Sequence, residues 1–423
     1  MPNAYETGAM YSASIPQWQR TYYEALLLET LRIKSLLLPF CRVKNDFAAR
    51  STGIMVYTEV MDTEPNWNAL AETDLWLRGA HLDSRSVQLT MEIHGDTLKF
   101  SDYSEIVSYI NAGNLAGLVK EKIGQNQVDT LDILARNAFL AHPNKVFGGG
   151  QRANRAAIVA TDLFDPDFCE LARTHLEESE IPGIAGETDG DIQTIACVTT
   201  PRVIHDIRTG AGSNWLDVNA YTAAKKFTGE VGTWNGVRFI KTMRMLLRNH
   251  GTVVQQTTLN GAVVAGQGAS ATVDVVYTVG QANSTRYVIV TDETGFAVGD
   301  YVTIHDVTAG LGAGYPPVEG DGTQETRRIV SINTGQHKLT FEKPLAKPHN
   351  TGDLLTKGVN IHTSVFMGGP AVVYGVAEAP TPVFPPKYDD LQMVNRYGWR
   401  GFMKMQMFRP EYIEVHETSG STD

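Results

Sequence analysis

The feature that most limits the fold of this chain is its last stretch, "RYGWRGFMKMQMFRPEYIEVHETSGSTD". From Tyr397 the odd positions run Tyr397, Trp399, Gly401, Met403, Met405 and Met407, and they resume after Arg409-Pro410 at Ile413 and Val415. Arg396, Arg400, Lys404, Gln406 and Glu414 stand among the even positions. A period of two gives a strand one buried face. Chemistry seldom needs so long a terminal strand, so the rest of the chain has to explain which architecture uses it.

At 423 residues and 42% hydrophobic content the chain is long enough for two or three domains. A formal net charge of −11 argues against a protein whose main task is gripping nucleic acid, which takes clustered Lys and Arg. Cys41, Cys169 and Cys197 are widely spaced, which excludes a disulfide scaffold or a zinc module and points to a reducing compartment. The first residues, "MPNAYETGAMYSASIPQWQR", have neither the basic start nor the apolar core of a signal peptide, and no apolar run reaches the length of a membrane span.

Residues 1–21 carry Tyr11 and Trp18 without a period, as an arm that docks on another surface does. A helix is expected over Tyr22–Leu38, stopped by Pro39. "GIMVYTEV" (Gly53–Val60) and "SRSVQLTMEI" (Ser84–Ile93) read as strands around 23 turn-rich residues, a loop length that usually has a function. Ser104–Ala141 reads as mostly helical, with a bend or break expected near Gly113, Gly117 and Gly124 and an end at His142-Pro143. Further on, Asp165 and Pro166 open a helix over Asp165–Ser179, Asn219–Phe227 suggests another, and "GEVGTWNGVRFIKT" (Gly229–Thr242) reads as a turn feeding a strand.

Composition then changes. Between Thr252 and Thr285 only Asp274 is charged, and short alternating runs follow, such as "RYVIVT", "GDYVTI", "TRRIVSI" and "HKLTFEKPL". This is the pattern of a small β-barrel or sandwich. Mixed patterning returns near Gly358, so Thr252–Lys357 reads as a 106-residue insertion into a host of about 317 residues.

Arm, short helix, long-tipped hairpin, long helix, α/β domain and long terminal strand, in that order, resemble the major capsid protein fold of tailed bacteriophages. "GEVGTWNGVRFIKT", "VVYGVAEAP" (Val372–Pro380) and the terminal "YDDLQMVNRYGWRGFMKMQMFRPEYIEVHETS" are similar to the podovirus-type coat proteins, with their G-x-V-G-x-x-x-G-V-R turn and Gly-Trp strand. The inserted β-rich segment departs from the minimal fold. The resemblance implies an α+β chain: N-terminal arm 1–21, helix and lead-in 22–50, extended hairpin or E-loop 51–93, and peripheral domain with spine helix 94–147. It then implies an axial domain 148–251, the inserted all-β barrel or sandwich 252–357, an axial return 358–384, and peripheral terminal strands and tail 385–423. The odd face of Met403–Met407 would pack under the spine helix.

On the same footing the chain is expected to self-assemble, through hexamers and pentamers, into an icosahedral head around double-stranded DNA. Assembly would take place in the host cytoplasm and the product would be the virion. Scaffolding, portal and decoration proteins are the further partners the family admits, with packaged DNA touched without sequence preference and no membrane involved. The acidic balance suits a wall that does not adhere to a genome. In the E-loop, Trp67, Leu70, Leu75 and Trp76 stand among carboxylates, as interface anchors ringed by polar groups do; with Trp18 of the arm they are the candidate intersubunit contacts.

No catalytic, cofactor or metal site is expected. The eleven histidines form no HExxH, and "GAGSN" lacks the closing glycine of a nucleophile elbow. Asp162, Asp165 and Asp167 lack the glycine and terminal glutamate of a calcium loop, and helix capping accounts for them better. "GGGQRANR" has no G-K-[ST] and reads as a flexible joint between spine helix and axial domain. Two readings of other classes stay open: a carbohydrate-active enzyme with a sugar-binding insertion, and a tail or adhesion protein whose β domain does the binding.

Overall fold

The computed structural model describes residues 36–45, 53–61, 63, 82–101, 115–184, 195–211, 215–217, 229–263, 286–306, 324–345, 347–384 and 394–421. The elements begin with β1 (Cys41–Lys44), β2 (Ile54–Val60), β3 (Ser84–Thr90), β4 (Glu92–Ser101), α1 (Leu115–Leu140), β5 (Lys145–Phe147), α2 (Pro166–Glu178), β6 (Ile195–Thr199) and α3 (Pro201–Ala211). Next come β7 (Leu216–Asp217), β8 (Glu230–Trp234), β9 (Val237–Lys241), β10 (Leu246–Leu247), β11 (Val253–Thr258), β12 (Tyr287–Ile289), β13 (Tyr301–His305), β14 (Glu325–Asn333) and β15 (Lys338–Phe341). The series closes with β16 (Leu354–Gly358), β17 (Ile361–Met367), β18 (Val372–Val383), β19 (Val394–Met407) and β20 (Ile413–Thr418).

The period-two stretch at the end of the chain makes β19, an inner strand of a four-stranded sheet in the order β1-β18-β19-β4. Trp399, Met403 and Met405 are buried in one core with Ile123, Leu131, Ala135 and Phe139 of α1. The Trp399 indole also donates to Asn126 Oδ1 on the helix at 3.0 Å. The alternating face therefore lies under the long helix. Its resumption at Ile413 does not continue the same strand. A 3₁₀ turn at Pro410–Tyr412 redirects the chain, and β20 joins a second sheet beside β17 and β5. Alternation reports burial of a face, not which layer buries it.

Helix α1 runs unbroken through Gly117 and Gly124, so the chain has no break at either, and Gly113 lies outside the described residues. Each glycine weakens a helix by about 1 kcal/mol, less than the packing of the Ile123–Phe139 stripe against β19 returns. The part of the Tyr22–Leu38 helix that precedes residue 36 lies outside the described residues, as does Asn219–Phe227. At Leu38–Phe40 the chain forms a 3₁₀ turn, not the last turn of an α-helix, and Pro39 sits in its first positions. The Leu36 and Leu37 amides donate to the buried Asp132 carboxylate of α1 at 3.3 and 3.4 Å, which ties the N-terminal segment to the helix.

The second sheet runs β5-β20-β17-β6-β9-β8-β7, with β10 on β17. Strands β6, β17 and β20 are buried along their whole length, because both faces are covered. Alternate residues go to different cores. Ala196, Val198, Ile240, Val365 and Met367 face the core shared with α1, whereas Ile195, Cys197, Phe239 and Phe366 face one built with α2 and α3. "GEVGTWNGVRFIKT" supplies strands on both sides of its Asn-Gly pair, one more than the sequence suggests. Asn235 and Gly236 have φ of 47° and 76°, the two left-handed residues of a tight hairpin turn.

Strands β11 to β16 form a third sheet in the order β11-β16-β13-β14-β15-β12. Leu259 bridges Val290, Asn260 N donates to Ile289 O at 2.8 Å, and Thr291 N donates to Thr258 O at 2.9 Å. The two outer strands are thereby joined and the sheet closes into a barrel, which removes its open edges. Its own core includes Val288, Val302, Ile304, Ile329, Leu339 and Leu355. The chain enters and leaves side by side: Gly251 N donates to Val359 O at 2.9 Å and Val359 N to Thr252 O at 3.0 Å.

Candidate assembly surface

Among the described residues, strands β2 and β3 pair only with each other, as a ribbon. Alternation gives it two unlike faces. Met55, Tyr57 and Leu89 turn inward and pack with Met91, Val373 and Phe408 in a small separate core, where Tyr57 meets the Phe408 ring edge-on at 4.5 Å. The other face presents Ile54, Val56 and Val60 to the outside, with Val56 45% and Val60 61% exposed. Their cross-strand partners are Thr90, Gln88 and Ser84, so this is an apolar row bordered by polar groups. Met61 and Leu82, where the ribbon leaves the body, are exposed as well, Leu82 by 73%. An exposed apolar row of this kind is a candidate contact surface.

Ion pairs fix the ribbon to the corner between β19 and β20. Arg409 grips the Glu59 carboxylate through two nitrogens, the Nε bond being 2.7 Å, and Arg85 Nη2 donates to Glu411 Oε1 at 2.7 Å. Between α1 and β19 lies an open cleft of about 820 Å³, lined by Ile133, Leu134, Ala138, Met405 and Met407 with Glu92 and Lys404 paired at its rim.

The five candidate contacts, Trp18, Trp67, Leu70, Leu75 and Trp76, lie outside the described residues. The ribbon on either side of residues 64–81 is described, and its outer row is not singled out from sequence; the alternation of Ile54, Val56 and Val60 is the available signal.

The residues weighed for chemistry have structural partners. Asp165 caps α2 by accepting from Asp167 N at 3.2 Å. Asp162 is not a cap of that helix: it accepts from Arg152 Nε at 2.7 Å and Val159 N at 2.9 Å, and the Arg152 guanidinium holds its carboxyl below the usual range. Gly148, Gly149 and Gly150 all have left-handed φ; a side chain at Gly148 would press on Arg152 and Asp162, and one at Gly149 would strike Phe168. Close packing is therefore the reason for Gly148 and Gly149, and the left-handed backbone alone for Gly150, in place of the flexible joint expected from the sequence. Burial pushes the Cys41 thiol up to about 12 and raises Cys169 and Cys197 further, so none is a ready nucleophile. Among the described residues no three His, Cys, Asp or Glu side chains are grouped to hold a metal, and no helix is long and apolar enough to cross a membrane.

The model of the family described as phage capsid protein matches residues 119–390. Among solved structures, the chain is similar to one from the capsid of Ralstonia phage GP4, with a TM-score of 0.55 at 10% identity over 96% of each chain. It is also similar to one from the capsid of Cyanophage Pam1, with a TM-score of 0.50 at 10% identity over 97% of this chain and 98% of that one. A search of curated proteins finds no match. Likeness at such identities shows a shared fold, and that fold is the one the order of elements implies. The family match covers most of α1, the second sheet except β20, and the barrel, well over half of the chain: this chain belongs to the phage capsid protein family, as a structural protein that associates with its own copies to form the phage head.

Proposed function

We propose that the chain builds the icosahedral head of a tailed bacteriophage around double-stranded DNA, through hexamers and pentamers assembled in the host cytoplasm, and that it does so without catalysis. In this reading 1–21 is the arm, 51–93 the E-loop, 94–147 the peripheral domain with its spine helix, and 148–251 with 358–384 the axial domain. Residues 252–357 are the inserted barrel, which projects outward or bridges neighbouring capsomers, and 385–423 the terminal strands and tail. The observation that carries it is the ribbon: one face is bound to its own chain, while Ile54, Val56 and Val60 on the other have no cover among the described residues. A subunit that meets several neighbours needs only modest contacts of this kind, because they sum over the lattice. Trp67, Leu70, Leu75 and Trp76 at the tip, and Trp18 in the arm, are the proposed anchors on neighbours. Scaffolding, portal and decoration proteins are the further partners. Deleting the tip between Asn66 and Trp76 should leave a folded subunit that assembles poorly. Normal shells from that deletion would remove the loop from the contact set.

A further inference from the structure

The ribbon touches its own chain in an apolar contact, in an ionic one, and through β1, where Lys44 Nζ donates to Val56 O at 3.1 Å and Lys44 and Arg42 lie over the Tyr57 ring at 5.4 and 5.5 Å. Near its base the contact is apolar, Met55, Tyr57 and Leu89 on Val373 and Phe408. Near its outer end the contact is ionic. Glu59 and Arg85 are directly opposite in register on β2 and β3, and both meet the corner that joins β19 to β20. Arg409 holds Glu59 by its fork, Arg85 holds Glu411, and Arg85 also lies 4.0 Å from Glu59 and over the Phe408 ring at 4.7 Å. The Arg409 guanidinium lies over the Tyr412 ring of the same corner at 4.7 Å and donates to its hydroxyl, so it is itself held in place.

These contacts differ in what they can fix. Apolar burial has no preferred direction, and the Lys44 bond to Val56 O and the Met91 N bond to Gly53 O hold points nearer the base, so none of these fixes the angle of the outer end. A bidentate guanidinium–carboxylate pair is directional. Beyond Glu59 and Arg85 come the exposed Met61 and Leu82, from which the loop departs. We propose that the Glu59–Arg409 and Arg85–Glu411 pairs are positioning residues that set the direction in which the ribbon tip leaves the subunit, so that a second copy of this chain meets it in one orientation. The consequence for assembly rests on the function proposed above; the setting of direction does not.

The test uses the full chain with spin labels at Thr58→Cys on the ribbon and Glu121→Cys on α1; the native Cys41, Cys169 and Cys197 are buried and do not compete for label. Arg409→Glu should about double the width of the inter-label distance distribution, and the swapped pair Glu59→Arg/Arg409→Glu should narrow it again. Amide protection of β2 and β3 should stay the same in all three proteins, which separates loss of direction from loss of the ribbon. An unchanged width in Arg409→Glu, a spread that the swap does not reverse, or loss of ribbon protection would each overturn the proposal. In assembly followed by light scattering, the critical concentration should rise about tenfold in Arg409→Glu and recover in the swap. A wider spread with unchanged assembly would show that direction is not used. If the unaltered chain formed no assemblies, the assembly reading would fail while the distance result stood.

Discussion

The side-chain amide of Asn249 donates to the Thr303 hydroxyl at 3.0 Å, from the last residues of the host into the third strand of the barrel. It also donates to Tyr301 O at 3.0 Å and accepts from Gly358 N at 3.2 Å, and its backbone sits in the left-handed region with φ of 60°. The Arg248 guanidinium lies over the Tyr301 ring at 3.7 Å. The barrel is thus seated on its host by side chains as well as tied to it by two strands. Asn249→Ala leaves buried partners unpaired in a backbone that alanine dislikes, and should cost about 2–4 kcal/mol. Thermal unfolding measures the loss, and proteolysis between residues 248 and 252 should become faster.

His250 adds a pH dependence to the same junction. Its Nδ1 donates to Arg248 O at 2.6 Å and its Nε2 accepts from Gln324 at 3.0 Å, so both ring nitrogens are engaged in the neutral form. Burial lowers its pKa to about 4, with Arg155 and Arg136 opposing the charge and Glu417 favouring it. The folded state therefore holds the proton less well than the unfolded chain. Stability that is complete above about 6.5 is lost as pH falls toward 4, by about 3 kcal/mol for this group. Denaturant titrations between those values should show a shallower pH slope in His250→Gln than in the unaltered chain.

Two adjacent glycines allow a matched comparison. Gly149 and Gly150 both have left-handed φ, 67° and 82°, but only at Gly149 would a methyl group run into the Phe168 ring. Gly150→Ala should cost about 1 kcal/mol from backbone strain alone. Gly149→Ala should cost about 2–4 kcal/mol, because the ring must also move. Equal melting temperatures for the two variants would contradict this packing account.

Residues 419–421, past β20, are tied to the body by hydrogen bonds. Ser419 N donates to Asp162 O at 2.9 Å, Ser421 N donates to Asp206 Oδ2 at 3.2 Å, and Arg202 donates to Ser421 O at 2.6 Å. Removing residues 419–423 should destabilise the subunit by about 2–3 kcal/mol, measured by denaturant unfolding, with α3 losing amide protection first.

What the sequence revealed follows from what periodicity can carry. The buried face of β19 was legible because Trp399, Met403 and Met405 alternate with polar residues along a strand covered on one side. Strand β20 was harder to place. Its polar Glu414, His416 and Glu417 are buried, Glu417 by pairing with Arg155 and Lys145 from a different part of the chain. Long-range charge pairing of that kind leaves no local pattern. The barrel announced itself through composition, but the bonds that seat it come from Asn249 and His250, ordinary polar residues in a loop. The ribbon's outer row was visible as alternation, while its ionic clamp joins positions 350 residues apart, Glu59 and Arg409.

The measurement closest to the central claim is assembly of the unaltered chain beside Val56→Asp/Val60→Asp, followed by light scattering and electron microscopy. Both positions are exposed in the subunit, so its unfolding free energy should change by no more than about 0.5 kcal/mol. The account predicts shells, tubes or capsomer rings from the unaltered chain and a folded, unassembled subunit from the variant. Normal assembly by the variant would contradict the assignment of the ribbon's outer face as a contact between copies.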